Sequence, residues 1–278
     1  MDDAQSFGTI HDVNVAVWRY IVDVWGWKFF GPALGLFALG VAAAAAFNAF
    51  WGFVAAALWL VGGIALARMR MEERFFRALA RELGFTYAQH GNAADAAGNL
   101  FARGRNRAAS HILEGVYRGR PMRLFQYRYV VGHGKRKHTY YFAVSEISFD
   151  GLVPDMTVDP KSFLKDLDLE WPHQRRISIR ADFDDQFEVH VNEHLKIEAF
   201  EIFTPEIIAE LLRPERNGYS FEFIGNKLYA VKKGQTLDRA SFLALADTAR
   251  FLVDALGPRL ARLHDDVAAM QAATARAR

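Results

Sequence analysis

The string His190-Val191-Asn192-Glu193-His194 carries side chains that bind zinc and transfer protons. Its spacing matches the H-x-x-E-H pattern of one class of zinc peptidases. That chemistry needs a helix, because a helical face aims two imidazoles four residues apart at one metal ion. Apolar and polar residues alternate here instead, so the local period of two predicts a strand. His190 and His194 are then expected on one solvent-exposed face, about 13 Å apart, too far to share a metal ion.

Two other strings contain residue types that could do chemistry. Asp182, Asp184 and Asp185 could recruit a divalent cation, although spaced acids in a turn are more often simply solvated. The string Gly132-His133-Gly134-Lys135 begins like a phosphate loop but joins two predicted strands, so no helix N-terminus faces a phosphate. The sequence therefore indicates no cofactor and no metal site. A hydrolase that uses the His190–His194 region or the acids at 182–185 stays as the alternative to a binding function.

Charge is distributed unevenly along the chain. Residues 103–137 contain ten basic residues and a single acid, whereas residues 146–170 contain seven acids and two lysines. A basic surface is attracted to anionic lipid by about 1 kcal/mol for each Lys or Arg near the membrane. The competing interpretation is a solvated face with internal ion pairs to the acidic stretch. The residues that we assign to anionic-surface binding are Arg103, Arg105, Arg107, Arg118, Arg120, Arg123, Lys135, Arg136 and Lys137.

Nucleic acid is a third candidate partner for the basic stretch. Aromatic residues alternate with basic ones in the predicted strands, as they do in base-stacking platforms. The residues concerned are Phe125, Tyr127, Tyr129, Tyr140 and Tyr141. Aromatic side chains in strands are usually core residues or cross-strand pairs, so we favour lipid or protein over nucleic acid as the partner.

Composition excludes several classes of chemistry. The chain has 278 residues, 51% of them hydrophobic and 24% charged, with a formal net charge of +2 and no cysteine. Disulfides, thiolate zinc sites, iron–sulfur clusters and cysteine nucleophiles are therefore excluded. Hydrophobicity is too high and net charge too low for a disordered chain.

The apolar residues are concentrated near the N-terminus. The 39 residues from Phe29 to Ala67 include no Asp, Glu, Lys, Arg or His. One membrane crossing takes about 20 apolar residues, so this run is long enough for two. Asn48 lies near its midpoint, and we predict a transmembrane hairpin with spans at 29–47 and 50–67. A buried hydrophobic hairpin in a soluble protein is the competing interpretation.

Basic residues flank both ends of the run, and the predicted outer turn has no charge. Arg19 and Lys28 precede the first span, while Arg68 and Arg70 follow the second. Since Lys and Arg are enriched on the cytoplasmic side, both termini are expected in the cytoplasm of a bacterial inner-membrane protein. The preceding segment, 1–28, has an amphipathic pattern and is expected either on the membrane surface or against the soluble domain.

Small residues within the first span suggest close helix packing. Gly31 and Gly35 form a G-x-x-x-G pattern, which lets helix backbones approach closely in lipid. We favour packing of the two spans on each other over a homodimer interface, so a homo-oligomer remains one partner to consider.

Residues 68–278 are expected to form a cytoplasmic α+β domain. A helix should continue to Gly84, and strands are predicted at 111–118, 122–131 and 138–149. Further strands are expected at 153–158, 176–182 and 186–191.

The C-terminal third is predicted to mix helices with one hairpin. Thr204 should cap a helix that opens with Pro205. Alternation from Tyr219 to Val231 around Gly225-Asn226 predicts a hairpin, and an amphipathic helix from Phe242 should stop or kink at Gly257-Pro258. Strands followed by helices, without a βαβ rhythm, indicate a mainly antiparallel sheet with C-terminal helices.

The chain resembles bacterial proteins grouped as domain of unknown function 3137. The residues that carry the resemblance are 114–121, 125–129, Phe187-Glu188-Val189, Thr204-Pro205-Glu206 and Asn226-Lys227-Leu228-Tyr229. The resemblance implies an N-terminal transmembrane hairpin joined to a cytoplasmic domain, and it implies no catalytic residues. We therefore expect a membrane protein that displays a binding domain for anionic lipid headgroups or a protein partner, and we favour binding over catalysis.

Overall fold

The computed structural model describes residues 49–91, 96–164, 174–216, 218–235 and 237–276, with isolated helical positions at 26, 31, 32, 34–36, 38 and 39. Seven strands are seen: β1 (Thr86–Gly91), β2 (Arg105–Tyr117), β3 (Arg120–Val131), β4 (His138–Pro160), β5 (Gln174–Ile177), β6 (Phe187–Asn192) and β7 (Tyr219–Lys233). The helices are α1 (Ala49–Leu83), α2 (Lys161–Leu164), α3 (Ala181–Asp184), α4 (Lys196–Ile202), α5 (Pro205–Leu211) and α6 (Arg239–Arg276). The α+β class and the antiparallel sheet are thereby confirmed.

Helix α1 combines the predicted second span with the helix expected after it. Of the described residues, one stretch, Val54–Leu83, is long and apolar enough to cross a membrane. Its apolar part is largely exposed, as Leu58 (68%) and Val61 (67%) illustrate, so it is unlike the core helix of a soluble protein. Most of the predicted first span, the turn at Asn48 and nearly all of 1–28 lie outside the described residues.

The end of α1 follows from one glycine. Gly84 adopts a φ of +68°, a left-handed conformation that glycine reaches without strain. The Phe85 N–H donates to the Ala80 carbonyl at 2.8 Å, and the Gly84 N–H donates to the Arg81 carbonyl at 3.3 Å. This pair of bonds is a Schellman motif, and it confirms the predicted helix end.

The sheet is organised around the long strand β4. The strand order is β1-β2-β3-β4-β6-β5, all neighbours are antiparallel, and β7 also pairs with β4. The first part of β4 pairs with β3, and its last part, from Met156, pairs with β6. Strand β7 follows β4 along both parts. Strand β4 therefore joins two half-sheets that share the β4–β7 pair.

Two apolar layers form around this sheet. One layer is an aromatic cluster whose largest side chains are each at most 3% exposed. These are Phe101, Phe125, Tyr127, Phe142 and Tyr229. Helix α6 buries a stripe at helical spacing, and hydrogen bonds such as that from Tyr117 Oη to Asp247 Oδ1, 2.9 Å, join it to the sheet. The stripe includes Phe242, Leu245, Ala249, Leu252 and Leu256.

Several predicted elements are wrong in extent or kind. The hairpin expected at 219–231 is one continuous strand, because Gly225, at φ +58°, bends β7 where β4 bulges between Ser148 and Val153. The bulge also makes 138–149 and 153–158 a single strand. The strand expected at 176–182 ends at Ile177, since α3 begins at Ala181.

Two helix predictions have different outcomes. Thr204 caps α5, its Oγ1 accepting the Ile207 N–H at 3.3 Å, as expected. Helix α6 contains Pro258 within its length and continues to Arg276, so the stop is excluded at Gly257-Pro258, while the alternative of a kink stays a prediction. A proline inside a helix removes one backbone hydrogen bond. Burial of the apolar stripe, which continues beyond Pro258 to Leu263 and Val267, offsets this cost.

The chain divides into two compact units, residues 1–79 with 237–239 and residues 80–236 with 240–278. The second unit contains the sheet and nearly all of α6. The division of the chain into a segment at 1–28, a transmembrane hairpin at 29–67 and a domain at 68–278 stays a prediction.

Candidate functional site

A row of polar side chains crosses the half-sheet formed by β5, β6, β4 and β7. Directly opposed residues of neighbouring strands lie on one face. Arg176 opposes His190, His190 opposes Thr157, and Thr157 opposes Glu222. Two residues along β4, Asp159 opposes Glu188. The register thus collects polar groups from four strands on one face.

The carboxyl groups in this row are deeply buried. Asp159 is 2% exposed and Glu222 is 4% exposed. Ser220 Oγ donates a hydrogen bond to Asp159 Oδ1. The backbone N–H of Asn99 donates to Glu222 Oε1 at 2.6 Å. These hydrogen bonds offset part of the cost of removing two acids from water.

Burial sets the protonation of both acids. Desolvation raises the pKa of Asp159 to about 7, against the Ser220 hydrogen bond, which lowers it. Desolvation also raises the pKa of Glu222 to about 7, and the neighbouring Asp159 raises it further, whereas the Asn99 N–H lowers it. The charge of Asp159 therefore disfavours ionisation of Glu222, and burial holds the pKa of both carboxyls well above the ordinary range.

A segment outside the regular elements covers this face, and we call residues 96–104 the strap. Its Ala97 N–H donates to Tyr229 Oη at 3.2 Å, and the Asn99 side-chain amide lies 3.5 Å from Gln174 Oε1. The Phe101 ring packs edge-on against Tyr127 and Tyr229, each at 4.9 Å between centroids. The strap is therefore anchored to the sheet by Glu222 and by the aromatic cluster.

The structure does not form a metal site from the H-x-x-E-H string. His190 lies on β6 as the period predicted, but it is 8% exposed, so the expected solvent-exposed position is wrong. His194 and Glu193 lie in the following 3-10 turn, where Glu193 pairs with Arg175 at 3.0 Å. Desolvation of the buried His190 ring lowers its pKa. Within the described ranges no group of three or more His, Asp or Glu side chains is placed to hold a metal ion.

The acids at 182–185 act locally. Asp182 Oδ1 accepts from Arg180 Nε at 2.5 Å, and this ion pair lowers the pKa of Asp182. Asp184 accepts hydrogen bonds from Ser178 Oγ and from the Ile179 N–H. These contacts stabilise the turn that precedes β6. The carboxylates of Asp182 and Asp184 therefore accept hydrogen bonds from donors within the protein.

Most residues of the predicted basic surface form ion pairs or hydrogen bonds with other parts of the protein. Arg118 pairs with Asp247 and Arg120 with Asp254, each at 3.0 Å, both acids being on α6. Arg123 pairs with Glu146 at 3.3 Å. Two more donate to backbone carbonyls, Arg105 to that of Gly132 and Arg107 to that of Phe101. Arg103 is half-buried and close enough to Asp159 to lower the pKa of that acid.

The other basic residues gather at the turn between β3 and β4. Arg136 and Lys137 are exposed there, and Arg128, which opposes Tyr141 across the strands, is exposed too. The side chain of Lys135 lies outside the described part of the structure. Val131 (46%) and Tyr141 (40%) are exposed at the same end of these strands, Tyr141 on the face of Arg128 and Val131 on the opposite face. We call Arg128, Val131, Arg136, Lys137 and Tyr141 the basic tip, and none of its three cations pairs with an acid in the portion of the chain that the structure covers.

The basic stretch is thus split between the two ends of β3. Arg120 and Arg123 lie in the first part of the strand and the basic tip at its end; Val131 is eleven residues, or about 36 Å, from Arg120, and Arg128 is five residues, or about 17 Å, from Arg123. The aromatic residues of this strand are not exposed for base stacking, because Phe125, Tyr127 and Tyr129 are each at most 2% exposed. Burial raises the pKa of both tyrosines to about 12.

Sequence reasoning missed Glu222 and Ser220. In the predicted hairpin they occupied the polar positions that alternate with Tyr219, Phe221 and Phe223, and such positions ordinarily face water. The available signal was the alternation within two other strands, where Thr157 and Asp159, and likewise Glu188 and His190, place polar groups on one face. Only the pairing of β4 with both β6 and β7 shows that these faces coincide.

Comparison with known proteins identifies the fold only. No family model matches the chain, and no curated protein matches it. Among solved structures, it is similar to the mycobacterial trehalose monomycolate transport factor A, TtfA, with a TM-score of 0.50 at 12% identity. The similarity covers 66% of this chain and 95% of that chain. At this identity the likeness shows a shared fold and nothing of activity.

Proposed function

We propose that the protein is a membrane-anchored, non-catalytic binding protein whose α+β domain contacts anionic lipid headgroups through the basic tip. The observation that carries the proposal is the exposure of Arg128, Arg136 and Lys137 at one end of the sheet, where Tyr141 and Val131 are exposed as well. Three cations near an anionic bilayer contribute about 3 kcal/mol of attraction, and interfacial Tyr side chains suit the headgroup layer.

The anchor in this proposal is a two-span hairpin in a bacterial inner membrane, with both termini in the cytoplasm. Helix α1 supports one span, because Val54–Leu83 is long and apolar enough to cross. The resemblance to domain of unknown function 3137 is retained as part of the proposal, and an apolar helix ahead of an antiparallel α+β domain supports it. TtfA is named for transport of trehalose monomycolate, and neither that cargo nor that role is transferred to this chain.

Lipid is favoured over a protein partner because the tip is small, basic and only locally apolar. A hydrolase is the less supported alternative. The His190 region does not converge on a metal-binding geometry, and Asp159 and Glu222 are both buried, with Glu222 bound to the Asn99 N–H of the strap.

The test uses the absence of native cysteine, which makes a single introduced thiol the unique labelling site. The full chain carries Val131→Cys at the basic tip or, as the matched control, Val116→Cys on β2, where Val116 opposes Pro121 near the start of β3 and is 64% exposed. Each is labelled with an environment-sensitive fluorophore and reconstituted into nanodiscs that contain nitroxide-labelled lipid. We expect quenching at position 131 in anionic nanodiscs, less quenching in neutral ones, and loss of the difference in high salt.

The comparison of the two positions decides the proposal. Quenching at position 131 that does not depend on lipid charge or salt would contradict a specific electrostatic contact. Equal quenching at positions 131 and 116 would contradict it too. Replacing Arg128, Arg136 and Lys137 with Ala should abolish the difference in quenching at position 131 between anionic and neutral nanodiscs. The same triple change at Arg175, Arg180 and Arg262, which are exposed and ion-paired, should leave it intact.

A further inference from the structure

Arg105 brings a cation from β2 to the turn that carries part of the basic tip. It lies at the start of that strand, opposite Val130 near the end of β3, and its side chain is exposed. Its Nη2 donates a hydrogen bond to the carbonyl oxygen of Gly132, the residue that follows β3. The guanidinium therefore lies against the turn between β3 and β4, and among the described residues no acid pairs with it.

The returning chain passes directly beside Gly132. A Cβ at this glycine would lie 2.3 Å from the Arg136 carbonyl oxygen and 3.7 Å from the Lys137 Cα. The Arg136 N–H donates to the His133 carbonyl at 3.1 Å, and the Lys137 N–H donates to the Gly134 carbonyl at 3.3 Å. This hydrogen-bonded turn places two exposed cationic residues next to the carbonyl group that accepts from the β2 guanidinium.

We propose that Arg105, Arg136 and Lys137 form a binding site for the phosphomonoester group of an anionic lipid. The inference rests on the lipid contact proposed above and deepens it, because it names the chemistry of the headgroup. A guanidinium presents several N–H donors in a planar fork, and the bond to Gly132 uses one of them. The same bond orients the fork before the ligand arrives, so less conformational freedom is lost on binding.

The set of donors favours a phosphomonoester over a phosphodiester. A monoester carries about 1.5 to 2 negative charges near neutral pH and has three acceptor oxygens, whereas a diester has a single charge and fewer terminal oxygens. A guanidinium fork bonds two phosphate oxygens at once, and the remaining oxygen of a monoester is available to the cations of the turn. A diester that fills the fork offers no further terminal oxygen to those cations.

Arg128 belongs to the basic tip but lies away from this turn. It is four residues before Gly132, about 13 Å along an extended strand, and it opposes Tyr141. It therefore adds positive charge to the membrane contact without sharing the contacts of the turn. Arg128 is exposed like Arg105, which makes it the matched control for substitutions at the site.

The test uses the full chain labelled at Val131→Cys in nanodiscs that contain nitroxide-labelled phosphatidylcholine. Phosphatidic acid, a monoester lipid, or phosphatidylglycerol, a diester lipid, is added in increasing amounts, and zeta potential gives the surface charge density. We expect half-maximal quenching at a charge density at least about threefold lower with phosphatidic acid. A smaller difference, with charge-dependent quenching in both lipids, overturns this inference and leaves the proposed function standing. Quenching that is independent of charge in both lipids overturns the two together.

Charge-conserving variants assign the preference to the guanidinium fork. Arg105→Lys keeps the positive charge but loses the planar fork, so the preference for phosphatidic acid should disappear while quenching with phosphatidylglycerol persists. Arg128→Lys should keep the preference of the wild type. Equal preferences in the two variants overturn the inference.

The glycines of the turn provide a second pair of variants. Gly132→Ala drives a Cβ into the Arg136 carbonyl, so it should displace the turn and abolish the preference. Gly134→Ala, at φ +55° with open space around it, should keep the preference. A preserved preference in Gly132→Ala contradicts the proposed arrangement of the site.

Glycerol 3-phosphate separates a lipid from a soluble molecule as the source of the phosphate. At millimolar concentration it should reduce the preference for phosphatidic acid, whereas dimethyl phosphate at the same ionic strength should not. Equal reduction by both compounds shows screening alone and overturns the inference. Complete loss at micromolar glycerol 3-phosphate identifies a soluble monoester as the ligand and overturns the assignment to lipid.

Discussion

Arg123 on β3 lies directly opposite Glu146 on β4, and its Nη1 is 3.3 Å from Glu146 Oε2. Lys227 of β7 reaches the other oxygen, with its Nζ 2.7 Å from Glu146 Oε1. Glu146 is 3% exposed, so one buried carboxylate joins three strands at the end of the aromatic cluster.

Removal of this carboxylate should destabilise the domain. Glu146→Ala leaves Arg123 and Lys227 close together without their shared acid, and we expect a loss of about 3 kcal/mol in the free energy of unfolding. Denaturant unfolding measures it. The matched control, Glu201→Ala, removes the partner of Arg262 from a more exposed pair and should cost about 0.5 kcal/mol or less. Equal costs for the two variants would refute the structural role of Glu146.

The buried acids make global stability depend on pH in a defined direction. Desolvation raises the folded-state pKa of Asp159 to about 7, above its ordinary 3.8. The unfolded chain releases this proton near pH 4 and the folded chain only near pH 7, so the free energy of unfolding falls across that interval and is level above it.

Asp159→Asn should therefore raise the melting temperature at pH 8 and leave it nearly unchanged at pH 4. On the order of 2 kcal/mol of stabilisation is expected at pH 8, since the neutral amide avoids the buried charge. Thermal melts at both pH values provide the measurement. Asp265→Asn, an exposed position on α6, is the control and should show no such difference. A variant at 159 that is less stable than the wild type at pH 8 would contradict the prediction.

Gly98 should tolerate no side chain. It has a φ of +131°, and a Cβ would meet the Glu222 carboxylate at 2.6 Å, so Gly98→Ala combines backbone strain with a clash. We expect a loss of about 2–3 kcal/mol in stability and weaker protection of the strap amides. Gly119→Ala, at φ +88° with open space around it, carries the strain alone and should cost about 1 kcal/mol. The prediction is wrong if the two substitutions cost the same.

Helix α1 should be sensitive to charge at its exposed apolar positions. Leu58→Arg places a cation in the apolar stretch, at a cost of about 2.5–3.5 kcal/mol if that position lies at the bilayer centre. We expect the membrane fraction to fall in carbonate extraction. Met69→Arg, beside the basic residues at 68 and 70, should remain in the membrane because arginine there reaches the interface. Equal extraction of both variants would contradict a transmembrane position for α1.

The sequence by itself determined the local elements and the class of the fold. Hydropathy located α1, Gly84 ended it, Thr204 started α5, and turn residues with alternating apolar positions located β3 and β6. These features depend on backbone propensity, capping and periodicity within a few residues, so they can be read from neighbouring positions.

Tertiary structure decided which strands meet, and hence the candidate site. The period of residues 186–191 predicted a strand, but not that β6 and β7 both pair with the last part of β4. That pairing buries His190, Asp159 and Glu222, all of which a local pattern assigns to a solvent-exposed face. Arg120 likewise appeared in sequence as part of a basic surface, whereas Asp254, its partner at 3.0 Å, is 134 residues away on α6. Burial and ion pairing depend on contacts between distant parts of the chain, and a single sequence carries no direct record of them.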